Sequence, residues 1–318
     1  MAADLATIAR RFGEHPGLKA KAALHVVTEA LGPTDWVAGP GDDAAALPSP
    51  DGTFLLVAGE AISPPFVAAD PYGAGVAAVV ANVNDIAAMG GRPTALVDTV
   101  TGREPAVRRA LAGLRHAADL YQVPVAGGHL SLWDGPPSLS VFALGQAESV
   151  LSARNLAPGQ SLLAAYCLDG TLRADFPFFS SIAARGAGLA ADVRLLADLG
   201  SAGRVVAAKD ISMAGTLGSL AMLLEPTGNG ATVDLGRIPR PPGVALEDWL
   251  FAFPTFGFLL SCPAAGAAPT IAAFEGRGLA CAAVGAIDST GQLRAVLGDD
   301  AVTLIDLATT PVTGLGLP

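Results

Sequence analysis

Carboxylates placed in apolar surroundings are the chemistry-bearing feature of this sequence. In DPYGAGVAAVVANVNDIAAMGGRP (70–93) an amide, Asn82, and a carboxylate, Asp85, stand in a segment that is otherwise almost wholly apolar. A buried carboxylate is costly unless it is paired or metal-bound. Three residues apart on a helix, the two share a face, whereas Asn84 points elsewhere. Four further acidic residues have a similar character. Asp42 and Asp43 lie in the Gly turn of GDDAAAL (41–47), Glu60 ends the apolar run TFLLVAGE (53–60), and Asp210 ends RVVAAKDI just before DISMAG (210–215). If the strand carrying Glu60 packs on the 70–93 helix, Asp42, Asp43, Glu60 and Asp85 converge, and so many acidic groups in one place require cations. Asp210 and Ser212 flank a helix start, where a carboxylate can hold a metal that bridges to phosphate oxygens. The plain alternatives are an N-cap by Asp210 or Ser212 and backbone capping by Asn82 and Asp85. The repeat GDDAVTL at 298–304 is a warning that GDDA can be merely a β-turn entering a strand.

Lysines and one histidine are the other polar candidates. Lys19 and Lys21 follow Gly17 at the start of a helix, where they are either a solvated first turn or a phosphate contact. Gly127, Gly128 and His129 end the strand PVAGG, where backbone approaches something closely, and His129 is either a ligand or an ordinary hydrogen-bonded histidine. There is no GxxxxGK[ST] loop, no GxSxG elbow, no HExxH pair and no GxGxxG opening a helix after a strand. Chemistry therefore falls to carboxylates, glycines and lysines.

The elements that must position these groups alternate along the chain. Asp70-Pro71 is a helix start and Gly90-Gly91 before Pro93 a stop. A strand at 94–100, a helix at 104–123, a buried strand at 124–128 and a strand at 137–147 follow, giving a first half with crossover connections. Ser149–Pro158 reads as a boundary, which divides the chain into domains 1–150 and 151–318. The second half alternates again, with helices near 188–199, 214–225, 245–252 and 264–277 between strands. Its DFPFFSS and FPTF strings, Phe176–Ser181 and Phe253–Phe256, are either core aromatics or the lining of a substrate pocket.

Composition agrees with two packed domains. Of 318 residues 51% are hydrophobic and 15% charged, and the net charge of −10 comes with no Lys/Arg cluster, which argues against nucleic acid and anionic membranes as partners. The three cysteines are far apart in apolar contexts and read as core residues of a reducing compartment. With no apolar run of spanning length and no h-region, a soluble cytoplasmic protein is expected.

Taken in order, GDDAAAL, ANVNDIAAMGGRP, AGGH (126–129) and DISMAG resemble the superfamily of aminoimidazole ribotide (AIR) synthetase, thiamine-monophosphate kinase, selenophosphate synthetase and the carbamoyl-dehydrating hydrogenase maturation factor. The resemblance implies a two-domain α/β (α+β) AIR synthetase-like fold whose N-terminal mixed sheet forms a barrel-like homodimer interface. It also implies ATP and Mg²⁺ as cofactors and phosphoryl transfer to a small-molecule substrate. Carried over, Asp43, Asp85 and Asp210 match metal-binding aspartates, Glu60 stands where the family usually has Asp, and Asp42 is their near neighbour. Asn82, Gly127 and Gly128 match positions near the nucleotide phosphates, with Ser212 beside them, and Lys19, Lys21 or His129 remain for the transferred group. Departures separate this chain from the named members. His129 and Met213 stand where thiamine-monophosphate kinases carry Asp, no cysteine lies in the N-terminal loop that selenophosphate synthetases use, and TGLGLP replaces the modifiable cysteine end of the maturation factor. The resemblance therefore points to AIR synthetase-related proteins, with a catalytically silent nucleotide-binding scaffold and a thiamine-phosphate-like or selenophosphate-like kinase as alternatives.

Overall fold

A computed structural model describes residues 4–32, 37–174 and 176–315. The last residues of TGLGLP and the first of DFPFFSS lie outside them. The first half contains α1 (Leu5–Glu14), α2 (Pro16–Lys21), α3 (His25–Leu31), β1 (Ala45–Pro48), β2 (Phe54–Ile62), α4 (Pro64–Ala69), α5 (Pro71–Ala88), β3 (Arg92–Gly102), α6 (Glu104–Tyr121), β4 (Val125–Leu132) and β5 (Ser138–Ala147). The second contains β6 (Ser161–Tyr166), β7 (Thr171–Leu172), β8 (Phe178–Ser180), α7 (Ile182–Arg185), α8 (Gly188–Ser201), β9 (Ala207–Asp210), α9 (Gly215–Leu224), β10 (Gly230–Asp234), α10 (Leu246–Trp249), β11 (Phe253–Pro254), β12 (Gly257–Cys262), α11 (Ala267–Glu275), β13 (Ala280–Asp288), β14 (Gln292–Leu297) and β15 (Asp300–Asp306).

Two mixed sheets organise these elements. The first has the order β1-β2-β5-β3-β4 and the second β15-β14-β10-β13-β6-β12-β9, with a small sheet β11-β8-β7 beside them. Alternation along β5 buries Leu139, Val141, Ala143 and Ala147, while Phe142 on the other face is 41% exposed. Helices thus cover one face of the first sheet and leave the other open. The second sheet is buried on both faces: Leu163 and Ala165 of β6 join one core, Leu162, Ala164 and Tyr166 the other.

Helix α5 lies where the two halves meet. Asp70 caps it as the sequence predicts, its Oδ1 accepting from the Gly73 N–H at 3.0 Å. Its apolar residues cover nearly every face because α6, β2, β5, α8 and β9 all pack against it. The helices α5 and α6 meet through glycine. A Cβ on Gly75 would lie 2.0 Å from the Ala110 carbonyl oxygen, and one on Gly113 2.0 Å from that of Tyr72.

Two expectations change, and the reading of the second GDDA string as a turn holds. Strand β4 is exposed along its whole length as the outer edge of its sheet, not buried. The first helix leaves its own half: Leu5, Ile8 and Phe12 of α1 enter the second core, against β14 and β15. The second GDDA string forms only the turn from β14 into β15.

The α5–α6 approach gives a direct test. Gly75→Ala and Gly113→Ala each gain about 1 kcal/mol of helix propensity. Overpacking against a fixed carbonyl costs about 1–3 kcal/mol and outweighs that gain. Both variants are expected to lower the urea midpoint, with the m-value unchanged.

Candidate metal and nucleotide site

Three segments distant in sequence bring Asp43, Asp85 and Asp210 together, one carboxylate oxygen of each lying within 4.8 Å of the others. Asp43 precedes β1, Asp85 occupies the last turn of α5, and Asp210 ends β9. The chain after Asp210 turns through two positive-φ residues, Ala214 (φ 96°) and Gly215 (φ 67°), and a Cβ on Gly215 would meet the Leu250 carbonyl oxygen at 2.2 Å. That strained turn starts α9 directly beside the cluster.

The cluster also holds a cation that sequence reasoning missed. Lys209 Nζ pairs with Asp43 Oδ1 and lies 3.5 Å from Asp210 Oδ1, while the Asp210 N–H donates to Asp43 Oδ2 at 3.1 Å. Its only sequence signal is a lysine inside the apolar strand VVAAKDI. The Asp85 carboxylate meets no hydrogen-bond donor among the described residues. Burial, then the charges of Asp210 and Asp43, hold its carboxyl well above the usual range, with Lys209 opposing. Burial first and Asp43 second push Asp210 up to about 7. Burial works against the Lys209 ammonium, but Asp43 and Asp210 outweigh it and the pKa rises.

Glu60 and Lys21 stand at the margin. Partial burial raises the Glu60 carboxyl and the nearby Lys21 lowers it, although Glu60 is exposed as a whole residue. Lys21 also acts on Asp210, whereas Lys19 is exposed and acts on neither. Four carboxylates against two lysines leave an excess of negative charge in a mostly dry place. The donors are oxygens only, which suits a hard divalent cation such as Mg²⁺.

A cavity of about 470 Å³ opens beside the cluster, reaching Glu60, Asp210 and Ser212. Its wall is formed by α5 and by aromatic residues from β8, β11 and the 173–177 loop. Phe176, Phe178 and Phe253 line it, while Phe179 and Phe256 are core residues, 1% and 0% exposed.

Other expected site residues are placed differently. Asp42 turns to the linker between the halves, its Oδ2 accepting from the Ser152 hydroxyl at 2.7 Å and its Oδ1 from the Ala153 N–H at 2.8 Å. Asn82 is fully buried and donates to the Ala78 carbonyl of its own helix at 2.8 Å, away from the cavity lining. It is Asn84 that lines the cavity, on the same stripe of α5 as Val76, Ala77, Val80 and Ala81. Gly127, Gly128 and His129 lie on the edge strand. The register Glu60–Val141–Asp98–Gly128 sets Gly128 three strands from Glu60, roughly 14 Å at ~4.8 Å per strand. Within one chain these three residues do not reach the cluster.

The raised carboxyls have a stability consequence. Folded-state values of about 7 for Asp210, and well above the ordinary range for Asp85, mean that the folded protein binds more protons than the unfolded chain. Metal-free stability therefore falls as pH rises through 7. By calorimetry the metal-free melting temperature is expected to be lower at pH 8 than at pH 6, Mg²⁺ to raise it more at pH 8, and Asp210→Asn to flatten the difference.

Comparison with known proteins agrees with this fold. Residues 41–147 match the family described as AIR synthase related protein, N-terminal domain, and residues 187–298 the corresponding C-terminal domain. An uncharacterized protein of Synechocystis sp. is 35% identical over 277 residues, 86% of either chain. The phosphoribosylformylglycinamidine synthase subunit PurL of Bradyrhizobium sp. is 26% identical over 85% of this chain but only 39% of its own length. Among solved structures, T. maritima PurL complexed with ATP superposes with a TM-score of 0.73 at 19% identity, over 90% of this chain and 54% of that one. AaThiL complexed with AMPPCP and TMP superposes with a TM-score of 0.68 at 18% identity, over 88% and 93%. The chain thus spans about half the length of the PurL structures while matching AaThiL almost end to end. Its two-domain mixed α/β architecture is theirs, and the chain belongs to the AIR synthase related family.

Proposed function

We propose that the chain is an ATP- and Mg²⁺-dependent enzyme that transfers a phosphoryl group to an oxygen of a small molecule. An amide or carboxamide oxygen, activated so that a nitrogen nucleophile can displace phosphate, is the acceptor type in view. The observation that carries this reading is the convergence of Asp43, Asp85 and Asp210 beside a cavity of ligand size. Structures of the same fold complexed with ATP and AMPPCP support the nucleotide.

Asp43, Asp85 and Asp210, with Glu60 beside them, are the residues to hold Mg²⁺, which when bound neutralises charge on the transferred phosphoryl oxygens. Lys209 fixes the orientation of Asp43 and Asp210, and Lys21 adds positive charge on the open side. The acceptor oxygen forms a bond to the γ-phosphorus as the bond to the β–γ bridging oxygen breaks. The electron pair leaves with ADP and the acceptor proton is released to water. Ser212 lines the cavity at the turn before α9, within reach of a nucleotide or acceptor.

We also propose a homodimer through the open face of the first sheet and its edge. Phe142, Leu130, Leu132 and Trp133 are 41%, 51%, 56% and 54% exposed there, and a second copy would cover them together with Gly127, Gly128 and His129. No helix of the described residues is long and apolar enough to cross a membrane.

Three experiments test these readings. Asp85→Asn is expected to weaken calorimetric binding of AMPPCP with Mg²⁺ at least tenfold while the metal-free melting temperature holds or rises, since a carboxyl whose ionisation the site disfavours is replaced by a neutral amide; unchanged binding would sink the site. ADP release should appear with one member of a panel of small amides. Steady binding without release would instead favour the scaffold reading, with the Lys209 ammonium standing in for one cation. For the dimer, Phe142→Glu is expected to halve the mass seen by sedimentation.

A further inference from the structure

We infer that the cavity beside the cluster takes an uncharged, ring-bearing acceptor that carries an N–H or O–H donor, rather than a phosphate ester. This rests on the phosphoryl-transfer reading above and names its substrate class. Four phenylalanines make a continuous aromatic wall: Phe66 from α4 lies 6.2 Å from Phe176, Phe176 meets Phe253 edge-on at 5.3 Å, and Phe253 lies 5.5 Å from Phe178. All four line the same cavity, whose volume suits a small flat molecule. Both halves of the chain contribute, so the wall exists only when they are packed together.

One polar group in that wall is unsatisfied. Asn84 is 4% exposed and donates from Nδ2 to the Thr255 carbonyl at 3.0 Å, which fixes the amide and leaves Oδ1 without a partner. A buried acceptor in a ligand cavity calls for a donor on the ligand. Asn84 is also the residue before Asp85, so a ring held by the phenylalanines and anchored there lies next to the metal ligands.

Charge argues against an anionic ligand. Glu60 and Asp210 line the cavity on the cluster side, and Asp70 is already spent on capping α5. The lining guanidinium, Arg173, is engaged within the protein, and His116 lies near Tyr72, their rings 6.2 Å apart. Away from the metal-holding side, a phosphate ester entering here would meet an aromatic wall, with the lining guanidinium already engaged.

The test uses the full chain with benzamide, methyl benzoate and ribose 5-phosphate as probes, followed by calorimetry or saturation-transfer NMR, with AMPPCP and Mg²⁺ binding measured in parallel. Benzamide is expected to bind, and methyl benzoate, which lacks the donor, at least fivefold more weakly. Asn84→Leu should abolish that preference while keeping ring binding. Ala77→Trp, and independently Ser180→Phe, fill the cavity and should weaken benzamide at least tenfold without affecting AMPPCP. Ribose 5-phosphate binding that the filling variants remove, benzamide binding indifferent to them, or no ring binding up to solubility would overturn the inference. Loss of AMPPCP binding with ring binding intact would overturn the phosphoryl-transfer reading alone.

Discussion

Everything near the site depends on keeping three carboxylates apart from water and close to one another. Asp43, Asp85 and Asp210 come from two halves of the chain, and their mutual repulsion in a buried place works against the packing that brings them together. Lys209 offsets part of that cost. The remainder is borne by the apolar burial around α5, which is why that helix is apolar on nearly every face. The opposing charge makes the seam between the halves cation-seeking, and the adjoining cavity gives a bound cation something to act on.

Much of the fold was legible because it is local. The Asp70 cap, the Pro71 start and the Gly90-Gly91 stop bound α5 almost where the sequence places it, and α6, β5 and α9 follow their periodicity closely. The approach of Asp43 to Asp85 was legible from the packing of the 53–60 strand on the 70–93 helix, but the addition of Asp210 was legible only through a resemblance, since no short-range pattern links residues that far apart. Lys209 escaped notice because a buried lysine and a solvated one look alike in sequence; only the approach of β9 to the Asp43 loop distinguishes them. Asn84 escaped for a different reason. Helical spacing groups Asn82 with Asp85, but the stripe of α5 that opens to the cavity runs through Val76, Ala77, Val80 and Ala81 to Asn84.

The strand β4 illustrates a limit of apolarity as a guide to burial. Its sequence reads as interior, and in a single chain it is an exposed edge. Apolar composition marks surface that is covered by something, without saying whether the cover belongs to the same molecule. His129 lies on that same edge, paired with Thr99 of β3.

The docking of α1 on β14 and β15 bears on how the protein comes to be folded. Leu5, Ile8 and Phe12 complete a core whose other side includes Leu293 and Leu307. During translation the first helix must therefore wait, its apolar stripe uncovered, until β14 and β15 have also left the ribosome. The second core closes over α1 only then, so segments far apart in sequence are bound into one folding event.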